Sequence, residues 1–482
     1  MSPSETTLAS LRSALAAKRL SASEAAAAAL KAMAEAKALN AFITETPERA
    51  RASAKESDAR LSQDRARPLE GIIVSVKDNF CTKDVETTAA SRILKGFVPP
   101  YESFVSQRVL DAGGVVVGKT NLDEFGMGSS TETSAYGPTL NPFGLKLDLG
   151  KRAPGGSSGG AAAAVAANLC QVALATDTGG SIRQPASFCG VVGFKPTYGV
   201  CSRWGVIAYA SSLDQAGVIT KTVEDAAIAM DVIAGHDPKD STSVAWAHEG
   251  FERALGTAST GAKIGIPKEF RDMAINADLG ALWTEGERRL RAAGADIHLV
   301  DMPTLKYSLP AYYLIALSEA SSNLARYDGV RYGVRAPGTH SIEELYETSR
   351  ARGFGKEVRK RIIVGTFALS AGYYDQYYSK AQRVRRLISD EFSKVLSEVD
   401  FLMWPAAPTP AFPLGAHQAD PLAMYLEDVF TVPINLAGVP AICLPIFTAA
   451  NGLPMGMQLI GKRFSDTKLL GVANAVMSAG DR

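Results

Sequence analysis

PGGSSGGAAAAVAANLCQVALATDTGGSIR, residues 154–183, decides the fold. Two glycine loops, PGGSSGG and DTGGSIR, each carry serines, and an alanine-rich stretch and an apolar run lie between them. Alanine is the best helix former. Glycine, with no Cβ, permits tight turns and close backbone approaches. QVALAT (171–176) is short and apolar enough to be a buried strand. One helix and one strand therefore separate Ser157 from Ser181. That connection can return both loops to one edge of a sheet, where the sites of open α/β proteins lie. The helix that begins after the first loop aims its N–H groups and positive dipole end toward Ser157 and Ser158.

Outward from this stretch the texture is similar. GIIVSVKD (71–78), GGVVVGKTN (113–121), AKIGIP (262–267), ADIHLV (295–300), DFLMWP (400–405) and PAICLPI (440–446) read as strands. VEDAAIAMDVIAG (223–235) and FSKVLSEV (392–399) read as helices between them. The alternation predicts an α/β protein with a largely buried sheet. Residues 5–60 read as helices that pack on this body: Leu8, Leu11 and Leu15 recur at helical spacing, and Ser21 with Glu24 forms a capping-box pattern. We therefore expect a helical region over 1–60 and one catalytic domain over 61–482. The polar stretch 235–263 reads as a surface excursion within one continuous sheet. Tyr373, Tyr374, Tyr377 and Tyr378 recur at helical spacing and read as packing residues.

Lys plus Arg number 51 and Asp plus Glu 50, a balance that gives no sign of an extended nucleic-acid footprint. The five cysteines, Cys81, Cys170, Cys189, Cys201 and Cys443, are widely spaced and form no C-x-x-C, so neither a disulfide framework nor a zinc site is indicated. MSPSETTLAS lacks the basic and apolar regions of a secretory signal. A soluble protein of a reducing, cytoplasmic compartment is expected.

GGSSGG (155–160) followed by DTGGSIR (177–183), with a lysine in an upstream strand, VKDNF (76–80), resembles the amidase signature family. The resemblance spans nearly the whole chain and implies a large mixed central sheet with helices on both faces. It also implies a Ser-Ser-Lys triad: Ser181 as nucleophile, Ser157 as relay beyond a cis Gly156–Ser157 peptide, and Lys77 as base. None of the five histidines lies in these motifs, so a Ser-His-Asp triad is not the natural reading. Taken alone, Ser181 is also compatible with a turn serine, and Lys77 with an ion pair to Asp78 or Asp84. To act as base, Lys77 must be neutral. Lowering its pKa from about 10.4 to near 7 asks for roughly 4–5 kcal/mol of destabilisation of the charged form. The backbone N–H groups of Thr178, Gly179 and Gly180, with that of Ser181, form the expected oxyanion hole, and Ser158 is expected to hydrogen-bond in support.

TNLDEFGMGSSTETSAYGP (120–138), RWGVIAYASSLDQAG (203–217), GVRYG (329–333), GTFALSAGYYDQYY (365–378) and MYLEDVFTVPINLAGVPA (424–441) are similar to the branch of the family that works within tRNA-dependent amidotransferases. This resemblance implies glutamine as substrate, with Arg361 on its α-carboxylate, Asp428 on its α-ammonium and Tyr312 lining the pocket. By residue type alone, Arg361 also suits a solvated basic helix face and Asp428 a helix cap. The implied partners are a B subunit, which binds tRNA and uses ATP and Mg, and a small C subunit. The implied reaction calls on no metal or organic cofactor in this chain. A stand-alone amidase for other small amides and a catalytically silent scaffold remain alternatives. Two departures from the family pattern stand out. Ala161 replaces a serine after GGSSGG, with the expected loss of a minor hydrogen bond, and FGLKLDLGKRAP (143–154) is longer than usual.

Overall fold

The apolar runs pair into one sheet. The computed structural model describes residues 7–256, 260–273, 276–418 and 420–480. Its strands are β1 (Phe42–Glu45), β2 (Ile73–Lys77), β3 (Val115–Thr120), β4 (Val172–Asp177), β5 (Val192–Lys195), β6 (Gln215–Thr220), β7 (Lys263–Pro267), β8 (Asp296–Val300), β9 (Phe401–Pro405), β10 (Ala441–Thr448) and β11 (Pro454–Gly461). They stand in the order β1-β3-β2-β4-β6-β5-β10-β11-β9-β7-β8. The sheet is mixed: β3, β2 and β4 are parallel, as are β9, β7 and β8, and the joints between these groups are antiparallel. Every residue of β2, β3, β4, β6 and β9 is buried, because helices cover both faces. The α/β expectation holds, and β6 and β7, on either side of the 235–263 excursion, belong to the same sheet.

The helical reading of residues 5–60 holds for Leu8–Ala16, Ala22–Glu35 and Pro47–Ser62 and fails at β1, which pairs antiparallel with β3. Four residues are too few to show a period, and only the partner strand makes Phe42–Glu45 extended. Residues 1–6 of that region lie outside those described. The Ser21–Glu24 capping box is present. In the excursion, Ser202 donates to Asp237 at 2.7 Å and Arg203 pairs with Asp240, while the Trp246 ring meets Phe251 edge-on at 6.0 Å and lies tilted against Phe464 at 5.9 Å. Its residues 257–259 lie outside those described. All five cysteines are buried and free. No helix among the described residues is long and apolar enough to cross a membrane.

One feature of this topology positions the site. From β2 the chain moves to β3 on one side, then crosses to β4 on the other, through helix Gly159–Ala166. A crevice therefore opens at the carboxyl ends of β2 and β4. Helix Gly159–Ala166 is buried on all sides, which its composition GGAAAAVA allows. A Cβ at Gly160 would lie 2.4 Å from Asn121 O and 2.6 Å from Ala41 O, so only glycine fits there. Ala161, the departure from the family pattern, is a fully buried apolar residue of this helix.

Candidate active site

Lys77 ends β2, and Thr176 and Asp177 end β4, so they face each other across the crevice. Lys77 is fully buried. Its Nζ lies 2.8 Å from each of three hydroxyl oxygens: Ser157 Oγ, Ser158 Oγ and Thr176 Oγ1. The Gly156–Ser157 peptide is cis, as the family resemblance implies. Neither ion pair open to Lys77 on sequence alone is made: Asp78 pairs with Lys119 at 3.1 Å, and the hydrogen-bond partners of Lys77 are the three hydroxyls and Thr176 O, not Asp84. Burial pushes the Lys77 amine down to about 7, against the smaller opposing pull of Asp123, Asp177 and Asp214.

Three buried lysines can be told apart by their partners. Lys119 donates to Phe80 O and Thr87 Oγ1 and pairs with Asp78, an environment built for an ammonium. Burial also lowers Lys195 to about 7. Yet Lys195 donates to three oxygens, the backbone carbonyls of Pro196 and Val439 and the side-chain amide of Gln215. Two of these three are backbone carbonyls, which only accept, a setting that favours the ammonium more than the one around Lys77 does. Lys77 alone sits among hydroxyls, which donate or accept as required and so tolerate a neutral amine.

The loop after β4 is fixed from below. Asp177 forms a buried two-point ion pair with Arg183, 3.0 Å at each contact. Burial alone would raise this carboxyl, but the guanidinium overrides it and holds Asp177 at about 2. Arg183 also donates to Gln458, Asn435 and Thr431 O. The Asp177 carboxylate further accepts the N–H groups of Gly180 (2.9 Å) and Ile182 (3.1 Å). This corrects the expected oxyanion hole: the Gly180 N–H is committed to Asp177. The N–H groups of Thr178, Gly179 and Ser181 have no hydrogen-bond partner among the described residues. A Cβ at Gly179 would lie 2.4 Å from the Tyr312 ring carbon Cζ and hydroxyl, so glycine is required at that contact. Ser181 is 7% exposed, and its carbonyl accepts from Ser158 N–H at 3.2 Å.

Beside this crevice lies a cavity of about 660 Å³ whose lining includes Ser129, Ser130, Glu124, Lys360, Arg361 and Tyr425. Arg361 is buried on helix Lys356–Leu369. It donates to Glu357 at 2.9 Å and to Tyr209 Oη at 3.1 Å. Asp428 accepts from Ser129 Oγ (2.8 and 3.0 Å) and from Tyr313 Oη (2.9 Å). Burial raises Asp428 to about 6 and the adjacent Glu427 to about 8, so near pH 7 the negative charge rests on Asp428. Arg361 lines the cavity, whereas Asp428 does not line it directly and meets it through Ser129, which lines it and donates to the Asp428 carboxylate. Tyr312 does not line that cavity; it packs against Gly179, 5.2 Å from the Tyr313 ring. Ser129, Tyr209 and Tyr313 escape single-residue reading, although Ser129 and Tyr209 fall inside the quoted motif stretches.

The long 143–154 loop packs away from the triad. Phe143, Leu149 and Ala153 join a small apolar cluster with Phe188, Phe412 and Leu453. The expected packing of the tyrosine segment holds only for Tyr378, which is half-buried and accepts from Gln382; Tyr373, Tyr374 and Tyr377 are exposed.

Lys77 thus bonds to Ser157 beyond the cis peptide, and the Ser181 loop is tied to the same loop through Ser158 N–H, with no hydrogen bond between the Ser157 and Ser181 hydroxyls among the described residues. The chain belongs to the amidase family, whose model matches residues 24–470. Among individual proteins, the chain is 54% identical over 477 residues to the glutamyl-tRNA(Gln) amidotransferase A subunit of Beijerinckia indica, covering 98% of this chain and 97% of that protein. The crystal structure of the corresponding glutamyl-tRNA(Gln) amidotransferase A subunit from Thermotoga maritima superimposes with a TM-score of 0.79 at 40% identity, covering 98% of this chain and 94% of that one. The peptide amidase of Stenotrophomonas maltophilia superimposes with a TM-score of 0.82 at 30% identity, covering 98% and 96%.

Proposed function

We propose that this chain is the glutaminase component of a tRNA-dependent amidotransferase, converting Glu-tRNA(Gln), and Asp-tRNA(Asn) where that is the acceptor, through a partner protein. The observation that carries the reading is the uncharged setting of Lys77, fully buried and 2.8 Å from Ser157 Oγ. A neutral amine has two N–H groups and one lone pair. Ser158 Oγ already donates to Thr176 O at 3.0 Å, so it accepts from Lys77. Thr176 Oγ1 takes the second N–H, and the lone pair is left to Ser157. Lys77 then removes the Ser157 proton as Ser157 Oγ takes the proton of Ser181.

Ser181 Oγ attacks the side-chain amide carbon of glutamine. The developing oxyanion is received by the N–H groups of Thr178, Gly179 and Ser181, each worth about 2.7–4 kcal/mol by analogy with other such donors. Collapse of the intermediate, with the proton returned to nitrogen, expels ammonia and leaves a glutamyl ester. Water then attacks the ester by the same proton path and regenerates Ser181. Arg361 holds the α-carboxylate of glutamine and Asp428 its α-ammonium, which places the amide toward the serines. Ammonia passes to a B subunit, which binds tRNA and uses ATP and Mg, and a small C subunit completes the assembly. The names of the relatives support this choice over a stand-alone amidase.

The test is Ser181→Ala in the assembled enzyme. Glutamine-dependent amidation is expected to vanish while amidation from added ammonium salt persists. Loss of both activities in a folded complex would refute the division of labour, and robust activity of the isolated chain on unrelated small amides would favour the stand-alone reading.

A further inference from the structure

Helix Lys356–Leu369 has two unlike faces. Its inner side buries Val358 and Arg361. Its outer side exposes Ile363 (68%), Val364 and Phe367 (50%), which stand at helical-neighbour spacing. The segment beyond extends this surface. The Tyr373 ring lies 4.5 Å from Phe367, and the Tyr377 ring stacks on Tyr373 at 5.9 Å. Tyr374 is also exposed, 5.4 Å from Tyr378. A π-helical turn, Asp375–Ser379, sets these rings on the surface. Isolated exposed apolar residues are ordinary, but a contiguous aromatic surface marks an interaction site. Tyrosine and phenylalanine are among the residues enriched at protein interfaces.

We propose that this aromatic face is where the partner protein that receives ammonia docks, through an apolar socket rimmed by carboxylates. The proposal rests on the functional reading above and adds the surface to it. The rim selects the occupant. Arg359, one turn before Ile363, and Lys380 and Arg383, just after the π-helical turn, are exposed and form no ion pair among the described residues; against the single carboxylate of that turn, Asp375, they leave the neighbourhood of the rings positive, so a complementary partner brings carboxylates to it. A second copy of this chain, docked about a twofold axis, would bring the same patch, and these same cations, face to face. RNA would need cations across the contact rather than around an apolar centre. The face also shares a helix with Arg361, so partner docking and glutamine binding act on one rigid element.

The experiment co-expresses the tagged chain with the B and C subunits of the same genome and measures their association. Phe367→Glu and Ile363→Glu are expected to weaken it about tenfold or more. Leu299→Glu, an equally exposed apolar site on edge strand β8, is expected to leave it unchanged. Ile363→Ala, which adds no charge, is expected to weaken it several-fold, and melting curves confirm that each variant is folded. If the wild-type chain binds and the folded Phe367 and Ile363 variants bind equally well, the surface assignment falls and the functional reading stands. If the wild-type chain binds neither of them, the functional reading falls. If the patch variants instead abolish a dimer of this chain, the occupant is a second copy and the proposal is overturned.

Discussion

Raising the pH from 6 to 8 switches on Lys77, and the size of the effect follows from its surroundings. Burial lowers the amine from 10.5 to about 7, a change of roughly 5 kcal/mol at about 1.4 kcal/mol per unit. With that pKa, about a tenth of the molecules carry a neutral Lys77 at pH 6 and about nine tenths at pH 8. The base acts in its neutral form, so kcat for glutamine hydrolysis is expected to rise about tenfold over this range and then level off. An ordinary lysine would give a rise of tenfold per pH unit that continues past pH 8. Asp428 and Glu124, at about 6 and about 7, titrate in the same window. They act through binding and positioning, so the assay follows ammonia release at saturating glutamine, where kcat reports the bound complex. Lys77→Arg supplies a guanidinium that stays protonated throughout and is expected to abolish activity at every pH. A flat profile, a slope that continues beyond pH 8, or an active Lys77→Arg enzyme would refute the reasoning.

Three further substitutions probe the surroundings. Asp428→Asn leaves the glutamine ammonium without its anion, and the loss of a buried charge partner, about 3–5 kcal/mol, predicts a fall in kcat/KM of about two to three and a half powers of ten, carried mainly by KM; in the wild type KM rises as pH drops below about 6, where this carboxylate is protonated. Glu124 accepts the Gly355 N–H at 2.9 Å and a hydrogen bond from Ser91, tying the start of the Arg361 helix to the 120–138 segment; Glu124→Ala is expected to raise KM several-fold with little change in kcat, and Glu124→Gln, which still accepts from Gly355, to restore most of it. Asp177→Ala strands Arg183 as an unpaired buried cation and is expected to cost about 3–5 kcal/mol in urea unfolding; an unshifted midpoint would contradict the role given to that pair.

Much of this was legible in the sequence, and the gaps have physical causes. β2, β3, β4, β7, β8, β9 and β10 coincide with apolar runs that announce themselves. β5 (VGFK), β6 (QAGVIT) and β11 (PMGMQLIG) do not, because glycine, glutamine and methionine dilute the signal and the strands form only against their neighbours. At the site, the two serine loops and Lys77 follow from motif and spacing. The fate of individual hydrogen bonds does not. Nothing in DTGGSIR says that Asp177 captures the Gly180 N–H, or that Ser158 stands as close to Lys77 as Ser157 does. Tyr312 and Tyr313 are neighbours, yet the helix turns only Tyr313 to Asp428. The exposed tyrosines fail the packing expectation for a related reason: helical spacing places residues on one face without saying what that face meets.

The most direct test of the central claim is the chemical identity of the intermediate. Assembled enzyme mixed with glutamine, quenched in acid within the first turnovers and mapped by peptide mass, is expected to carry one glutamyl ester, on Ser181, and to carry none in Lys77→Arg. An acyl group on any other residue, or steady ammonia release with Ser181 never modified, would contradict the account.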